Sequence, residues 1–330
     1  MTENRHSSLG LSNNDVVNMY KIMKLARKID ERMWLLNRAG KIPFVISCQG
    51  QEAAQVGASF ALDRNKDYVA PYYRDMGIVL SFGMTTRELM LSGFAKAEDP
   101  NSGGRQMPGH FGQKKNRIIT GSSPVTTQVP HAVGFALAAK LKGKDFVTLT
   151  TLGDGSTNQG DFHEGLNFAG VHKLPIITLV QNNKLAISVP FEKQIASENI
   201  AERAKSYGMP GVIVNGNDPL EVYDAVVKAR ERAESGDGPT LIEAITVRLT
   251  AHSSDDNDRT YRTKEELEEA KKNDCIELFS TYLRETGILT EKIEEELEEE
   301  IMNEVNEATD YAEQAKFASP DTLLDYVYEK

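Results

Sequence analysis

Asp154, inside Gly153-Asp154-Gly155-Ser156-Thr157-Asn158, and Asn183, closing Gln181-Asn182-Asn183, are a carboxylate and an amide 29 residues apart. Both are hard oxygen donors. That set suits Mg²⁺ or Ca²⁺ and not zinc, and Mg²⁺ usually completes its shell with phosphate oxygens of a bound molecule. The glycine turn adds backbone N–H groups that can meet a phosphate. Neither of the commoner phosphate cradles, Gly-x-Gly-x-x-Gly at a strand end or Gly-Lys-Ser/Thr, is present. The pair therefore points to a diphosphate held through a divalent cation.

Such a pair needs a scaffold that brings both residues to one crevice. Residues 146–152 are β-branched and apolar and predict a buried strand ending at the glycine turn. Residues 156–170 then predict a helix and 174–180 a second parallel strand, together about one βαβ unit. In an open α/β sheet the exits of adjacent parallel strands face a common crevice. Further strands are expected at 212–214 and 241–249, joined by a helix at 218–235 that Asp218 caps ahead of Pro219. Helices are also expected at 14–38, from Gly50-Gln51 to 62, and after Asp75 to residue 80, with a short extended piece at 68–71. The glycine-, serine- and proline-rich stretch 99–128 is too long for an idle connection. A polar loop follows at 250–262. The expected fold is α/β, a parallel sheet flanked by helices with helical extensions at both ends. Its units are an arm (1–62), a core (63–263) and an acidic helical extension (264–330).

At 330 residues the chain can bury a large core. A net charge of −11 argues against nucleic acid or an anionic membrane as partner. Much of the acidic excess lies in 291–313, where Ile293, Leu297, Ile301 and Val305 recur at four-residue steps, the pattern of an amphipathic helix with a solvated acidic face. Cys48 and Cys275 form no disulfide or thiolate-metal pattern, the start of the chain is polar, and no stretch approaches a membrane span. A cytoplasmic protein is expected.

These motifs resemble the alpha subunits of the thiamine-diphosphate-dependent decarboxylase component of 2-oxo acid dehydrogenase complexes, most closely the branched-chain group. The resemblance spans nearly the whole chain. It implies the diphosphate half of a thiamine-diphosphate-binding fold, with Mg²⁺ held by Asp154, Asn183 and the Leu185 carbonyl and the diphosphate met by the turn at Gly153, Gly155 and Ser156. Tyr73-Arg74 resembles the pair that contacts the diphosphate from the other side. In Ser122-Ser123-Pro124-Val125-Thr126-Thr127-Gln128, the resemblance has Ser123 and Val125 placing the aminopyrimidine. Ser122, Pro124, Thr127 and Gln128 would enclose a monovalent cation such as K⁺. His252 matches a loop histidine at the cofactor, the expected acid for acyl transfer because imidazole titrates near neutrality and this loop looks mobile. Phe44, with Tyr73, falls where the acyl pocket has an aromatic wall. Gln181 departs from the group, which often has a diphosphate-binding arginine there, so that contact is not carried over. His110 and His163 are the other histidines of interest.

The resemblance also implies the reaction: oxidative decarboxylation of small branched-chain 2-oxo acids, with transfer of the acyl group to the lipoyl group of an acyltransferase. The glutamate that activates the aminopyrimidine would come from a beta subunit, in an assembly of two alpha and two beta chains. A pyruvate- or acetoin-specific alpha subunit is the alternative within the same cofactor class. A non-catalytic interaction subunit, docking through its acidic terminal helix, is the alternative outside it.

Overall fold

The structure of the protein, a computed structural model, describes residues 4–325 and 327. Residues 1–3 of the polar start lie outside that range. A short helix, α1 (Arg5–Ser8), leads into α2 (Asn13–Arg38), whose start is fixed by a reciprocal capping box between Ser12 and Asp15. Then come α3 (Glu52–Phe60), β1 (Tyr68–Ala70), α4 (Met76–Ser81), α5 (Thr86–Gly93) and, past the long glycine-rich segment, α6 (Gln128–Leu141). Next are β2 (Thr148–Gly153), α7 (Gly160–Val171) and β3 (Ile176–Asn182), then a small hairpin of β4 (Leu185–Ala186) and β5 (Val189–Pro190). The chain continues through β6 (Gly211–Asn215), α8 (Pro219–Glu234), β7 (Thr240–Ile245), α9 (Lys264–Lys271), α10 (Cys275–Glu285) and α11 (Glu291–Gln314).

Five strands form one parallel sheet in the order β1-β2-β3-β7-β6. Side chains alternate between its faces, as the period of a strand requires. Ile177 and Leu179 enter a cluster with Ile29, Ile78 and Val222, while Ile176 and Val180 enter clusters holding Ala136 and Phe162. Both faces are covered, which is why the central strands read as continuous apolar runs. Leu297, Ile301 and Val305 of α11 are buried, and Ile301 and Val305 join the cluster that contains Ile177. The acidic face of α11 is largely exposed, as expected, and part of it meets lysines of α2. Glu300 pairs with Lys21, and Glu298 with Lys24 and Lys28, all three lysines on α2.

Two sequence expectations need correcting. The helix expected from Ser156 begins at Gly160, because Asp154–Asn158 is a 3₁₀ turn. Its carbonyls are claimed from outside the helix: Thr126 donates its hydroxyl to the Ser156 carbonyl at 2.9 Å, and Arg203 donates to that of Thr157 at 2.8 Å. The strand expected over 241–249 stops at Ile245. Beyond it the chain folds over the Gln49–Gly50 corner, where a side chain at Gly50 would sit 2.5 Å from the Val247 carbonyl. The Asp218 cap is as expected, accepting from the Leu220 and Glu221 backbone N–H groups.

Candidate functional site

Register sets the crevice. Gly153 pairs with Gln181, so Asp154 and Asn183 leave the sheet from adjacent strands. Asn182 is used elsewhere: its amide donates at 2.7 Å to the buried carboxylate of Glu243, whose other oxygen accepts the backbone N–H groups of Ile200 and Ala201. Asn183 turns the chain, its Oδ1 accepting the Leu185 N–H at 3.2 Å. Leu185 faces Pro190 across the hairpin, and proline has no N–H to give, so the Leu185 carbonyl is not consumed by that partner. Gly155 could be nothing larger, since an added Cβ would lie 2.6 Å from the Ala186 Cβ.

Asp154 is 1% exposed, and its side-chain hydrogen bond comes from a neutral amide, Gln194 Nε2, at 2.6 Å. Burial pushes its carboxyl up to about 6, against the Gln194 hydrogen bond and the fields of Arg248 and Arg74. Those arginines are the strongest feature of the site. Each is 2% exposed, and every hydrogen bond either makes among the described residues goes to a neutral group. Arg74 donates to the Ser47 carbonyl at 2.5 Å, to the His252 carbonyl and to His252 Nδ1, and its guanidinium lies over the Tyr73 ring. Arg248 donates to the carbonyls of Ile187 and Thr250 and to the Tyr261 hydroxyl, and its Nη1 is buried with no partner. Buried charges are normally paired. Neither guanidinium has a carboxylate in hydrogen-bond reach among the described residues, and both pull on the Asp154 carboxyl, an arrangement that suits an anion beside them.

His252 is held more firmly than a mobile loop would be. Its backbone N–H donates to Asp256 at 2.7 Å, the Tyr261 hydroxyl donates to the same carboxylate oxygen, and Ser254 and Val45 exchange hydrogen bonds. Nor does it titrate near neutrality: burial, then Arg74 and Arg248, push its ring down to about 4. Arg248, Asp256, Tyr261 and Gln194 were missed from the sequence. The available signal was an arginine four residues before His252, which the overlong strand had absorbed.

The segment 122–128 forms the other wall. Thr126 is buried with φ of 79°, a strained value for a β-branched residue, and its hydroxyl bond to Ser156 holds it there. Gln128 donates to the Thr151 carbonyl at 2.8 Å, so its amide is already engaged. Ser123 donates to His110 Nε2 at 2.6 Å while His110 Nδ1–H donates to the Met107 carbonyl, which ties the 99–128 segment across the rim. A cleft lined by Tyr73, Gly109, Ser122, Val125, Gln128 and Ser156 lies between these walls. Pro124 is exposed and Thr127 half-buried beside it. A second, apolar recess that shares Tyr73 and Gly109 with this cleft is lined by Met33, Val45, Ile46, Met76, Leu89 and Phe111. Phe44 is not among its lining residues; its neighbours Val45 and Ile46 take that place. Gln181 is fully buried, and its amide is engaged with Asp75 and Gln55. His163 bonds the Tyr207 hydroxyl and takes no part in these contacts.

The residues fit a diphosphate held with a divalent cation. Among the described residues no three His, Cys, Asp or Glu side chains cluster as a metal cage, so a cation at Asp154 needs carbonyls, amides or phosphate oxygens to complete its shell. No helix of the described residues is long and apolar enough to cross a membrane.

Residues 20–321 match the dehydrogenase E1 component family. The chain is 69% identical over the full length of both proteins to the 2-oxoisovalerate dehydrogenase subunit alpha of Bacillus subtilis. It is 38% identical to the pyruvate dehydrogenase E1 component subunit alpha of Bacillus cereus, over 97% of this chain and 84% of the relative. It is also 38% identical to the 3-methyl-2-oxobutanoate dehydrogenase subunit alpha of Mycobacterium tuberculosis, over 94% of this chain and 80% of the relative. By this match and this full-length likeness, the chain belongs to the dehydrogenase E1 component family.

Proposed function

We propose that this chain is the alpha subunit of a branched-chain 2-oxo acid dehydrogenase that uses thiamine diphosphate. The observation that carries the cofactor reading is the pair of buried, unpaired guanidiniums, Arg74 and Arg248, acting on the Asp154 carboxylate. The branched-chain substrate is favoured by 69% identity to a 2-oxoisovalerate dehydrogenase subunit against 38% to a pyruvate one.

In this reading Asp154, the Asn183 side chain and the Leu185 carbonyl hold Mg²⁺, and the Gly155 and Ser156 amides meet the diphosphate. Arg74 and Arg248 neutralise the charge that Mg²⁺ leaves; Arg248 supplies what Gln181 cannot. Thiamine diphosphate supplies, when bound, the carbanion stabilisation that loss of carbon dioxide from a 2-oxo acid requires. Ser123 and Val125 support the aminopyrimidine, and Ser122, Pro124, Thr127 and Gln128 surround a K⁺ ion through backbone and side-chain oxygens. His252, neutral with its proton on Nε2, would act as a hydrogen-bond donor that orients the lipoyl group during acyl transfer. Tyr73 lines both the cofactor cleft and the apolar recess that takes the branched acyl chain.

Among the described residues no carboxylate lines the cleft at Ser122 and Val125. That supports a glutamate from a beta subunit as the activator of the aminopyrimidine, in a two-alpha, two-beta assembly working in the cytoplasm with a lipoyl-bearing acyltransferase. Carbon dioxide release from a panel of 2-oxo acids, by the chain co-expressed with its beta subunit, tests this. Release from 3-methyl-2-oxobutanoate that depends on thiamine diphosphate and Mg²⁺ is expected, and its absence would refute the reading.

A further inference from the structure

Asp75 is fully buried and follows directly on the Tyr73–Arg74 wall. Its Oδ2 accepts the Tyr72 backbone N–H at 2.9 Å and the Thr151 hydroxyl, and its Oδ1 accepts Gln181 Nε2 at 2.6 Å. Gln181 Oε1 in turn accepts Gln55 Nε2 at 3.1 Å. That same nitrogen donates to the Arg74 carbonyl at 3.0 Å, and Gln55 Oε1 accepts the Gly77 N–H at 2.9 Å. The pattern is directional. Because the Gly77 N–H and the Arg74 carbonyl fix the Gln55 amide, Gln181 must turn Oε1 to Gln55 and Nε2 to Asp75, and neither glutamine can flip without setting two donors or two acceptors face to face.

The positions of these groups matter. Thr151 stands three residues before Asp154 on β2, and Gln181 stands two before Asn183 on β3. One carboxylate therefore ties the arginine wall to both strands whose exits carry the metal-binding pair. All of its hydrogen-bond partners are uncharged, and burying a carboxylate on such terms costs stability that an apolar filling would not. Scaffolding alone would be better served by apolar packing.

We propose that Asp75, through Thr151, Gln181 and Gln55, is the positioning element that fixes the separation between Arg74 and the Asp154–Asn183 strand exits. It thereby sets the span across which a diphosphate is gripped. This rests on reading the cleft as a thiamine-diphosphate site. Gln181 holds the site from beneath without touching the ligand.

The test uses the chain co-expressed with its beta subunit. Calorimetric affinity for thiamine diphosphate at saturating Mg²⁺, kcat at saturating cofactor and the cofactor-free melting temperature are measured for wild type, Gln181→Met, Gln55→Met and the double variant. Leu283→Ala, in the buried face of α10 far along the chain from this network, is the control for lost stability alone. Each glutamine variant is expected to weaken cofactor binding about tenfold while kcat at saturation falls less, with the double variant little worse than either single one. Leu283→Ala should lower the melting temperature and leave the affinity within about twofold. Should a glutamine variant fail to assemble, Thr151→Val removes one donor to Asp75 at nearly unchanged shape and carries the same comparison. Variants that melt lower yet bind the cofactor as wild type does would overturn the positioning role. A wild type that binds no thiamine diphosphate would overturn the cofactor reading itself and this inference with it.

Discussion

Arg74 Nη2 lies 3.2 Å from His252 Nδ1. A guanidinium can only donate, so Nδ1 is the acceptor and the ring carries its proton on Nε2. With the ring pushed down to about 4 by burial and by Arg74 and Arg248, this neutral tautomer persists through the physiological range. The folded state therefore binds fewer protons than the unfolded one between about pH 6.5 and pH 4. His252 contributes stability above that window and loses it as pH falls through it. Melting curves should show His252→Gln less sensitive than wild type to acidification from pH 6.5 to 4.5, and equal slopes would show that the ring titrates normally.

Asp30 has the opposite sign. Burial pushes its carboxyl up to about 7, although Ser47 donates to Oδ2 at 2.5 Å; Oδ1 has no partner. The folded state holds a proton there that the unfolded chain has released, so stability falls as pH rises from about 4 to 7. Asp30→Asn should flatten that slope and stabilise the protein at pH 8 by about 2 kcal/mol. Denaturant titrations at pH 5 and pH 8 check it, and a variant less stable at pH 8 would contradict it.

Arg248 and Arg74 should both matter to cofactor affinity, and unequally to packing. Removing a charge-assisted contact costs about 1.5–3 kcal/mol, so Arg248→Met should weaken thiamine diphosphate binding roughly 10- to 100-fold. Its cofactor-free stability should hold or rise, because a buried unpaired charge has been removed. Calorimetry and melting on one preparation decide the point; unchanged affinity would leave Arg248 a scaffold residue.

Gly155→Ala tests the turn. Its new methyl would collide with Ala186 and displace the hairpin that carries Leu185. Mg²⁺-dependent cofactor binding should drop at least tenfold, whereas Gly134→Ala, in α6 where an added Cβ meets nothing, should leave it unchanged. Equal effects of the two substitutions would contradict the close approach at Gly155.

The βαβ spacing made Asp154 and Asn183 legible because the elements that place them are local in sequence. What escaped is tertiary. Whether a guanidinium is paired depends on segments far apart in the chain, so Arg248 looked like one more strand residue. The 156–170 helix starts late because Thr126 and Arg203, distant in sequence, take the carbonyls a first turn would need. Residues 42–47 follow no regular period, so nothing local says that Val45 and Ile46, and not Phe44, line the recess beside Tyr73. His252 was read from its free-solution titration, which burial and then the two arginines overrule.

The central claim is a branched-chain acyl pocket beside a thiamine-diphosphate cleft, and the ratio of specificity constants for 3-methyl-2-oxobutanoate and pyruvate tests it most directly. The measurement uses the chain assembled with its beta subunit, saturated with thiamine diphosphate and Mg²⁺. Two extra buried carbons at ~0.8 kcal/mol each give roughly 15-fold in favour of the branched acid, within the range apolar pockets achieve. A ratio of that order is the expected result. A ratio at or below one would contradict the branched-chain assignment and make the chain a pyruvate-type subunit.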